Sequence, residues 1–409
     1  MSRHQTIFLG AHALLLTLAA CQERQKTEAR TSAEQPTTAP AAAALSNSPG
    51  AWYRQYRGLL PGSPDSITLH LTAAPANPTE AEIASYYGSY SRPDGQPFEL
   101  VGLAAISPDS VVLQDISPEV AASDNNGPVW RLRRQGTALV GTYKGQAVRL
   151  RLARPAGSVA MVARYFADSV AAYPGQAQTP YAHLSLLALL PVEAPAELRA
   201  NILRTLRGDT LSNRPAPTLA GYWQAQWRNY AADYRANAAE ARSATAPDDT
   251  TALPAYALRY DEQQLVRVLW NQAPVLSLGF LNYSYTGGAH GNYGTTVASF
   301  DVRTGRALRY ADIFRPGTEA QLTPVLSRAV RRTLGIGAAA RLDEVLMVEQ
   351  MPVTRNVYLT GGGVVFVYVP YEIASYAQGE IRVFVPFAEL RPYLQPGLPL
   401  GTHADVAVL

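Results

Sequence analysis

Short runs of alternating apolar and polar residues between positions 53 and 152 constrain the fold of this chain most. Apolar side chains occupy every second position in runs such as Ile67–Leu71 and Val148–Leu152, and turns such as Arg92–Gly95 and Lys144–Gly145 separate the runs. This spacing predicts about eight antiparallel strands in a meander. We expect a small barrel or a strongly curved sheet, lipocalin-like only in outline, with a lumen filled by side chains rather than by a ligand.

The pattern changes after Arg154, where helical periodicity appears between further strands. The predicted helices are Pro195–Leu206, Leu219–Ala244 and Glu319–Leu334. The predicted strands are Tyr181–Leu190, Tyr256–Trp270, Val275–Tyr285, Thr295–Asp301, Val357–Val369 and Ile381–Pro386. Helices beside a mainly antiparallel sheet predict an α+β domain. The fold class is therefore an all-β meander domain followed by an α+β domain.

The first twenty residues are typical of an export signal. Basic Arg3 and an apolar run from Ile7 to Leu18 precede small Ala19 and Ala20, and the run is shorter than the roughly 20 residues that span a bilayer. The segment Leu18 to Cys21 matches a bacterial lipobox, which predicts signal cleavage after Ala20 and acylation of Cys21. We expect the mature protein to be anchored by lipid to a bacterial cell-envelope membrane, on its extracytoplasmic side.

The domain boundaries follow from these changes in composition. Residues 1–20 are the predicted signal peptide, and residues 21–50, poor in large apolar side chains, are a predicted disordered tether. The meander domain is predicted at 51–155 and the α+β domain at 156–405. Within the latter, residues 156–250 are predicted to be mainly helical and 251–395 mainly sheet.

Charge and cysteine content exclude several functional classes. The net charge is +3, Lys26 and Lys144 are the only lysines, and the arginines are scattered. A nucleic-acid surface would need a basic stripe, so we expect no nucleic-acid partner. Cys21 is the only cysteine, which leaves no disulfide and no thiolate metal site.

Two segments carry a family resemblance. The first reads Tyr283-Ser-Tyr-Thr-Gly-Gly-Ala-His-Gly-Asn292, followed by Ser299–Gly305 and Asp312–Phe314; the second is Pro370–Gly379, followed by Val383–Val385 and Leu390. Over about residues 160–395 the chain resembles the extracytoplasmic domain of RsiV/PdaC type. That domain is shared by lysozyme-sensing anti-sigma factors and the non-catalytic front part of peptidoglycan deacetylases.

The resemblance implies recognition of a cell-wall component, either peptidoglycan or a lysozyme-like protein that cleaves it. The sequence shows no anti-sigma segment or deacetylase domain, and we therefore expect neither sigma-factor control nor deacetylation. The candidate binding residues are Tyr283, Tyr285, Gly287, Gly288, His290, Asn292, Tyr371, Glu372 and Tyr376. Tyrosine faces can stack on sugar rings, and a neutral imidazole both donates and accepts a hydrogen bond.

Two alternatives remain for these residues. In one, the glycines build a tight loop that His290 fastens to Glu372 or Asp301, and the protein is a structural envelope scaffold. In the other, the same carboxylates orient His290 as the general base of a hydrolase. No Gly-x-Ser-x-Gly, Walker or His-Glu-x-x-His motif occurs, and His70, His183, His290 and His403 are far apart, so we expect no metal and no cofactor.

Overall fold

The protein is described in a computed structural model, which covers residues 47–75, 85–103, 107, 109–121, 127–209, 214–244 and 255–400. It consists of a closed barrel, a six-stranded sheet with helices on one face, and a three-stranded sheet on the other face. The predicted signal peptide, Ala20, Cys21 and His403 lie outside the described residues, and so does most of the predicted tether.

The N-terminal barrel has eight antiparallel strands in sequence order, closed by pairing of the first strand with the eighth. The strands are β1 Trp52–Leu59, β2 Ser66–Ala74, β3 Ser85–Ser91, β4 Pro97–Gly102, β5 Ser110–Asp115, β6 Val129–Gln135, β7 Ala138–Tyr143 and β8 Gln146–Leu152. A short helix, α1 Pro118–Ala121, lies between β5 and β6. The meander predicted from the alternation is confirmed.

Side chains fill the centre of the barrel. The ring of Trp130 contacts those of Tyr90 and Tyr143, with centroids 5.5 Å and 4.4 Å away, and Tyr90 stacks on Phe98 at 4.7 Å. The Tyr90 hydroxyl donates to buried Asp115 at 2.8 Å. An interior packed with four large aromatic rings is a structural core, as expected for a small barrel.

The C-terminal part is built on a six-stranded sheet in the order β14-β13-β12-β11-β10-β9. Its strands are β9 Met161–Ala171, β10 Tyr181–Pro191, β11 Tyr260–Gln272, β12 Val275–Thr286, β13 Asn292–Asp301 and β14 Ala307–Leu308. Neighbouring strands are antiparallel except for β10 and β11, which are parallel because the chain between them crosses over through two helices.

Helices cover one face of this sheet, and a second sheet covers the other. Helix α2 Ala196–Leu206 and helix α3 Leu219–Ala244 pack on the first face, and the aromatic side chains of α3 are core residues, as predicted. A three-stranded antiparallel sheet covers the opposite face: β15 Val357–Leu359, β16 Gly363–Tyr368 and β17 Ile381–Pro386. Short α4 Tyr310–Ile313, amphipathic α5 Glu319–Leu334 and short α6 Phe387–Leu390 close its outer side.

The barrel docks on the six-stranded sheet through buried polar contacts. Gln55 and Ser89 donate to the carbonyl oxygens of Asn271 and Val268, at 3.1 and 3.2 Å. Glu99 of the barrel forms buried ion pairs with Arg267 and Arg382 of the two sheets. The two predicted domains therefore share an extensive polar interface.

Several details of the fold differ from the sequence prediction, among them the start of β13 at Asn292 rather than at Thr295. Strand β9 was not predicted. Residues 255–258 form a 3-10 turn, so β11 begins at Tyr260 rather than at Tyr256. The predicted single strand Val357–Val369 is wrong: Thr360 accepts hydrogen bonds from the backbone of Gly362 and Gly363, and the chain reverses there. Residues 47–50, assigned to the tether, include Ser48, which hydrogen-bonds to β9.

Within the described ranges, none of the helices combines the length and apolar character needed to cross a membrane.

Candidate functional site

The two segments that carry the family resemblance meet at one edge of the molecule. The connection between β12 and β13 brings Gly287–Gly291 beside the connection between β16 and β17, which contains Pro370–Gly379. The Tyr376 hydroxyl donates a hydrogen bond to the Gly291 carbonyl oxygen across this junction. The structure thus brings together candidate residues that are about 85 positions apart in sequence.

Aromatic rings form the centre of this junction. The imidazole of His290 stacks on the ring of Tyr376, with centroids 4.1 Å apart and planes inclined by 24°. The rings of Tyr371 and Tyr293 both lie 5.8 Å from Tyr376, the first tilted and the second edge-on. We call His290, Tyr293, Tyr371 and Tyr376 the aromatic cluster.

The aromatic cluster faces solvent. His290 and the neighbouring Asn292 are exposed, and Tyr371 is 55% exposed. Tyr371 also has a backbone φ of 70°, an unusual conformation for a bulky residue. Strained backbone of this kind is often retained at functional sites, because folding alone would favour a glycine there.

Glycines allow the first loop to pass close to its neighbours. Gly287 and Gly288 have φ values of 87° and 94°, and the Tyr285 hydroxyl donates to the Gly288 carbonyl at 3.0 Å. A Cβ atom on Gly291 would lie 2.5 Å from the ring of Tyr283. Any larger residue at position 291 would therefore displace Tyr283 or the loop.

The predicted clasp between His290 and a carboxylate is not formed. Asp301 lies at the opposite end of β13, nine residues or about 30 Å from Asn292 at the strand rise, and it accepts hydrogen bonds from Arg303. Glu372 accepts from the Val369 backbone at 3.1 Å. In the part of the chain that the structure describes, Nδ1 of His290 contacts only the Gly291 carbonyl, at 3.0 Å.

A buried ion network lies directly behind the aromatic cluster. Arg382 pairs with Glu99 at 2.7 Å and with Glu380 at 2.8 Å, and Arg267 pairs with Glu99. Glu380 also accepts a hydrogen bond from the Thr295 backbone. The four charged side chains, which we call the ion network, connect the barrel to both sheets beneath the site.

Burial and neighbouring charges shift the pKa values of Glu99 and Tyr293. Burial alone raises the pKa of Glu99, but the guanidinium groups of Arg267 and Arg382 outweigh it, and the pKa is lowered. Burial and the nearby carboxylate of Glu380 raise the pKa of Tyr293 to about 12. At neutral pH Glu99 is therefore charged, and Tyr293 remains a neutral hydrogen-bonding group.

Sequence inspection missed the ion network and Tyr293. A signal was present: Glu99, Arg267 and Arg382 each stand inside a run of strand-forming apolar residues, where an isolated charge requires a buried partner. Tyr293 adjoins a predicted candidate, Asn292, and its hydroxyl lies 2.9 Å from where a Cβ atom on Gly379 would be.

The remaining histidines are not part of this site. His70 of β2 is buried where the barrel contacts the six-stranded sheet; its Nδ1 lies 2.9 Å from the Tyr53 hydroxyl, and burial lowers its pKa to about 3. His183 lies on β10. Among the described residues, no three histidine, cysteine, aspartate or glutamate side chains converge in a way that would hold a metal ion.

Each of the two loops that form the site lies in a segment that matches a known family model. Residues 206–293 match the family model described as deacetylase PdaC, and residues 311–388 match a protein family of unknown function, DUF3298. These segments form a PdaC/DUF3298-type domain. The predicted resemblance is confirmed, and the aromatic cluster lies where the two matched segments of the PdaC/DUF3298-type domain touch.

One solved structure supports the fold of this domain, and a second is reported for its similarity alone. A DUF3298 family member from Bacteroides fragilis NCTC 9343 is 20% identical, with 59% of this chain and 96% of that chain covered and a TM-score of 0.51. A DUF3298 family protein from Pseudomonas aeruginosa PAO1 is 21% identical over 59% and 97% of the two chains, with a TM-score of 0.41. A search of the curated proteins finds no match.

Proposed function

We propose that this protein is a lipid-anchored, extracytoplasmic binding module, and that the aromatic cluster of its PdaC/DUF3298-type domain recognises a cell-wall partner. The observation that supports this most is the stack of exposed His290 on half-buried Tyr376, with exposed Tyr371 beside it. Exposed aromatic groups held by a rigid scaffold are typical of recognition surfaces, because they bury a large area at a small cost in side-chain entropy.

The surroundings of the aromatic cluster favour a protein partner. A loop with exposed Val345 and Met347 is hydrogen-bonded to the segment Pro370–Gly379. The side chain of Gln378 donates to the Val345 carbonyl at 3.1 Å, and the backbone N–H of Met347 donates to the Ile373 carbonyl at 2.8 Å. Two exposed apolar side chains thus stand on a loop that is hydrogen-bonded to the segment carrying Tyr371 and Tyr376. Exposed apolar side chains near an aromatic cluster are typical of protein interfaces.

Peptidoglycan is the second candidate ligand. The faces of Tyr371 and Tyr376 could stack on sugar rings, and exposed Asn292 offers a donor and an acceptor for hydroxyl groups. Among the two classes, we favour a glycan-cleaving protein of lysozyme type, because Val345 and Met347 have no hydrogen-bonding side chain to offer a saccharide.

Anchoring through Cys21 would hold this surface at a bacterial envelope membrane. The segment from residue 21 to residue 46 has 26 residues, and a flexible chain of that length has a root-mean-square reach of roughly 30 Å. The domain could then meet partners in the wall while it stays bound to the bilayer. Replacement of Cys21 by serine should release the protein from membranes in a fractionation experiment.

The test is retention of the purified protein on immobilised lysozyme-like enzymes and co-sedimentation with insoluble peptidoglycan. We expect Tyr371→Ala and Tyr376→Ala to reduce retention at least tenfold, since each removes an aromatic group of the cluster. Tyr181→Ala is the matched control, because Tyr181 is also half exposed, at 50%, but lies at the start of β10.

The two ligand classes give different outcomes. If Tyr371→Ala and Tyr376→Ala lose retention only on the immobilised enzyme, the result supports a protein partner. If they lose only co-sedimentation with peptidoglycan, the result supports glycan. If wild type is retained on neither matrix at any salt concentration, or if all three variants bind as wild type does, the proposal is wrong.

A further inference from the structure

A second site lies on the opposite face of the six-stranded sheet from the ion network. A cleft of about 320 Å³ opens between the end of α2, the start of α3 and strands β11 to β13. This volume is at the lower end of the range for small-molecule sites, roughly 300–1,000 Å³. Buried Leu265 and Phe280 are among the residues that line it.

The polar groups of the cleft are organised by one hydroxyl. The Tyr222 oxygen accepts from Nε2 of Gln226 at 2.8 Å and lies 2.7 Å from Oε1 of Gln264, to which it donates. These bonds fix both amides in orientation. Within the described ranges, Nε2 of Gln264 and Oε1 of Gln226 then have no protein partner, which leaves one oriented donor and one oriented acceptor for a ligand.

Two more neutral groups share this face of the sheet. Asn282 pairs directly with Gln264 across β11 and β12, and Thr296 lies two residues from the position that pairs with Asn282 on β13. Both side chains are exposed and line the cleft. Gln264, Asn282 and Thr296 therefore present amides and a hydroxyl on one face of three neighbouring strands.

The charge of the cleft is neutralised within the protein. Arg207 pairs with Asp209 at 2.6 Å and donates to the Pro215 carbonyl at 3.0 Å. Its Nε is buried and has no partner in the described part of the chain, so this nitrogen is closed off from the cleft. A paired arginine among amides and hydroxyls gives no net attraction for an anion.

We infer that this cleft binds a short neutral saccharide. Side-chain amides suit this ligand because each presents a donor and an acceptor side by side, which complements the vicinal hydroxyls of a pyranose ring. The oriented amides of Gln226 and Gln264 would hold one hydroxyl pair, and Asn282 and Thr296 the next. The inference does not depend on the function proposed for the aromatic cluster, because the cleft lies on another face of the sheet.

The experiment titrates the purified protein with chitobiose and maltose in a calorimeter, with gluconate as an anionic probe of similar polarity. We expect wild type to bind at least one disaccharide with a Kd of about 1 mM or tighter, and gluconate at least tenfold more weakly. Gln264→Leu keeps the side-chain volume and removes the amide, and we expect it to weaken binding at least tenfold.

Matched variants distinguish a binding role from a structural one. Gln263→Leu is the control, because Gln263 neighbours Gln264 on β11 but points to the other face and hydrogen-bonds to Asp261. Thr296→Val, at an exposed position, should weaken binding without a change in thermal midpoint. The cleft assignment is wrong if wild type binds neither disaccharide at about 10 mM, or if Gln264→Leu and Thr296→Val bind as wild type does.

Tyr376→Ala separates the two proposals. Saccharide binding that survives Tyr376→Ala but is lost in Gln264→Leu supports the cleft, whatever the aromatic cluster binds. The reverse result overturns the cleft and assigns saccharide binding to the aromatic cluster.

Discussion

Replacement of Glu99 by glutamine tests the ion network that joins the barrel to the two sheets. The substitution keeps the shape of the side chain and one acceptor oxygen but removes the negative charge. Arg382 would then keep Glu380 as a carboxylate partner, whereas Arg267 would keep none among the described residues. Their side chains are 13% and 12% exposed, so water could solvate them only in part.

The expected cost follows from this burial. Loss of one partner from a buried ion pair costs about 3–5 kcal/mol, because the remaining charge stays desolvated. Glu99 is 18% exposed, which places the expected loss near the lower value, about 3 kcal/mol. With roughly 2–4 °C per kcal/mol for a domain of this size, the thermal midpoint should fall by about 6–12 °C.

Urea denaturation, followed by tryptophan fluorescence, measures this loss against a surface control. Glu389→Gln breaks the pair with Arg332, whose side chain is 52% exposed, and should cost at most about 1 kcal/mol. Since the pKa of Glu99 is lowered from 4.5, its contribution is complete above about pH 4.5 and is lost as the pH falls further. If Glu99→Gln costs no more than Glu389→Gln at pH 7, the reasoning about the ion network is refuted.

Three further predictions concern other positions. Burial lowers the pKa of His70 to about 3, so between pH 6.5 and pH 5 only the unfolded state takes up the proton, and wild type should lose about 2 kcal/mol of stability. His70→Gln should not show this loss. If urea denaturation gives the same dependence of stability on pH for both proteins, the prediction is wrong. A Cβ atom on Gly362 would lie 1.8 Å from the Asp94 carbonyl oxygen of the barrel, so Gly362→Ala should lower the thermal midpoint by several degrees. Gly337→Ala, at an open position, should change it little. Equal thermal midpoints for the two variants would disprove the contact. Gly291→Ala, which forces the Tyr283 ring aside, should reduce partner retention while far-ultraviolet circular dichroism stays unchanged, and undiminished retention would show that this loop is not part of the surface.

Local sequence patterns predicted the elements whose structure is decided locally. The barrel strands follow from alternation, because a strand with one buried face needs an apolar residue at every second position. Helix α5 was predicted with its observed bounds, since its apolar residues recur at helical spacing and Gly335 ends it in a left-handed conformation. Strand β9 was missed because its polar and apolar residues alternate only over part of its length.

Contacts between distant segments could not be predicted in the same way. Glu99 and Arg267 are 168 positions apart, and no periodicity in either strand specifies which buried charge pairs with which. The predicted His290 partners, Asp301 and Glu372, lie within the segments that carry the family resemblance. The observed partner is Tyr376. It reaches His290 because the three-stranded sheet packs on β12 and β13, and the sequence of neither loop specifies that packing.

The ion network also supports the position of the aromatic cluster. Glu380 directly follows Gly379, which packs against Tyr293, and it anchors both the Thr295 backbone and Arg382. Removal of the barrel would take Glu99 away and leave Arg267 and Arg382 with too little negative charge just behind the cluster. We therefore expect the isolated PdaC/DUF3298-type domain to bind more weakly than the whole chain. Such a loss would report the disturbed scaffold rather than a ligand contact made by the barrel, and Glu99→Gln in the whole chain should reproduce part of it.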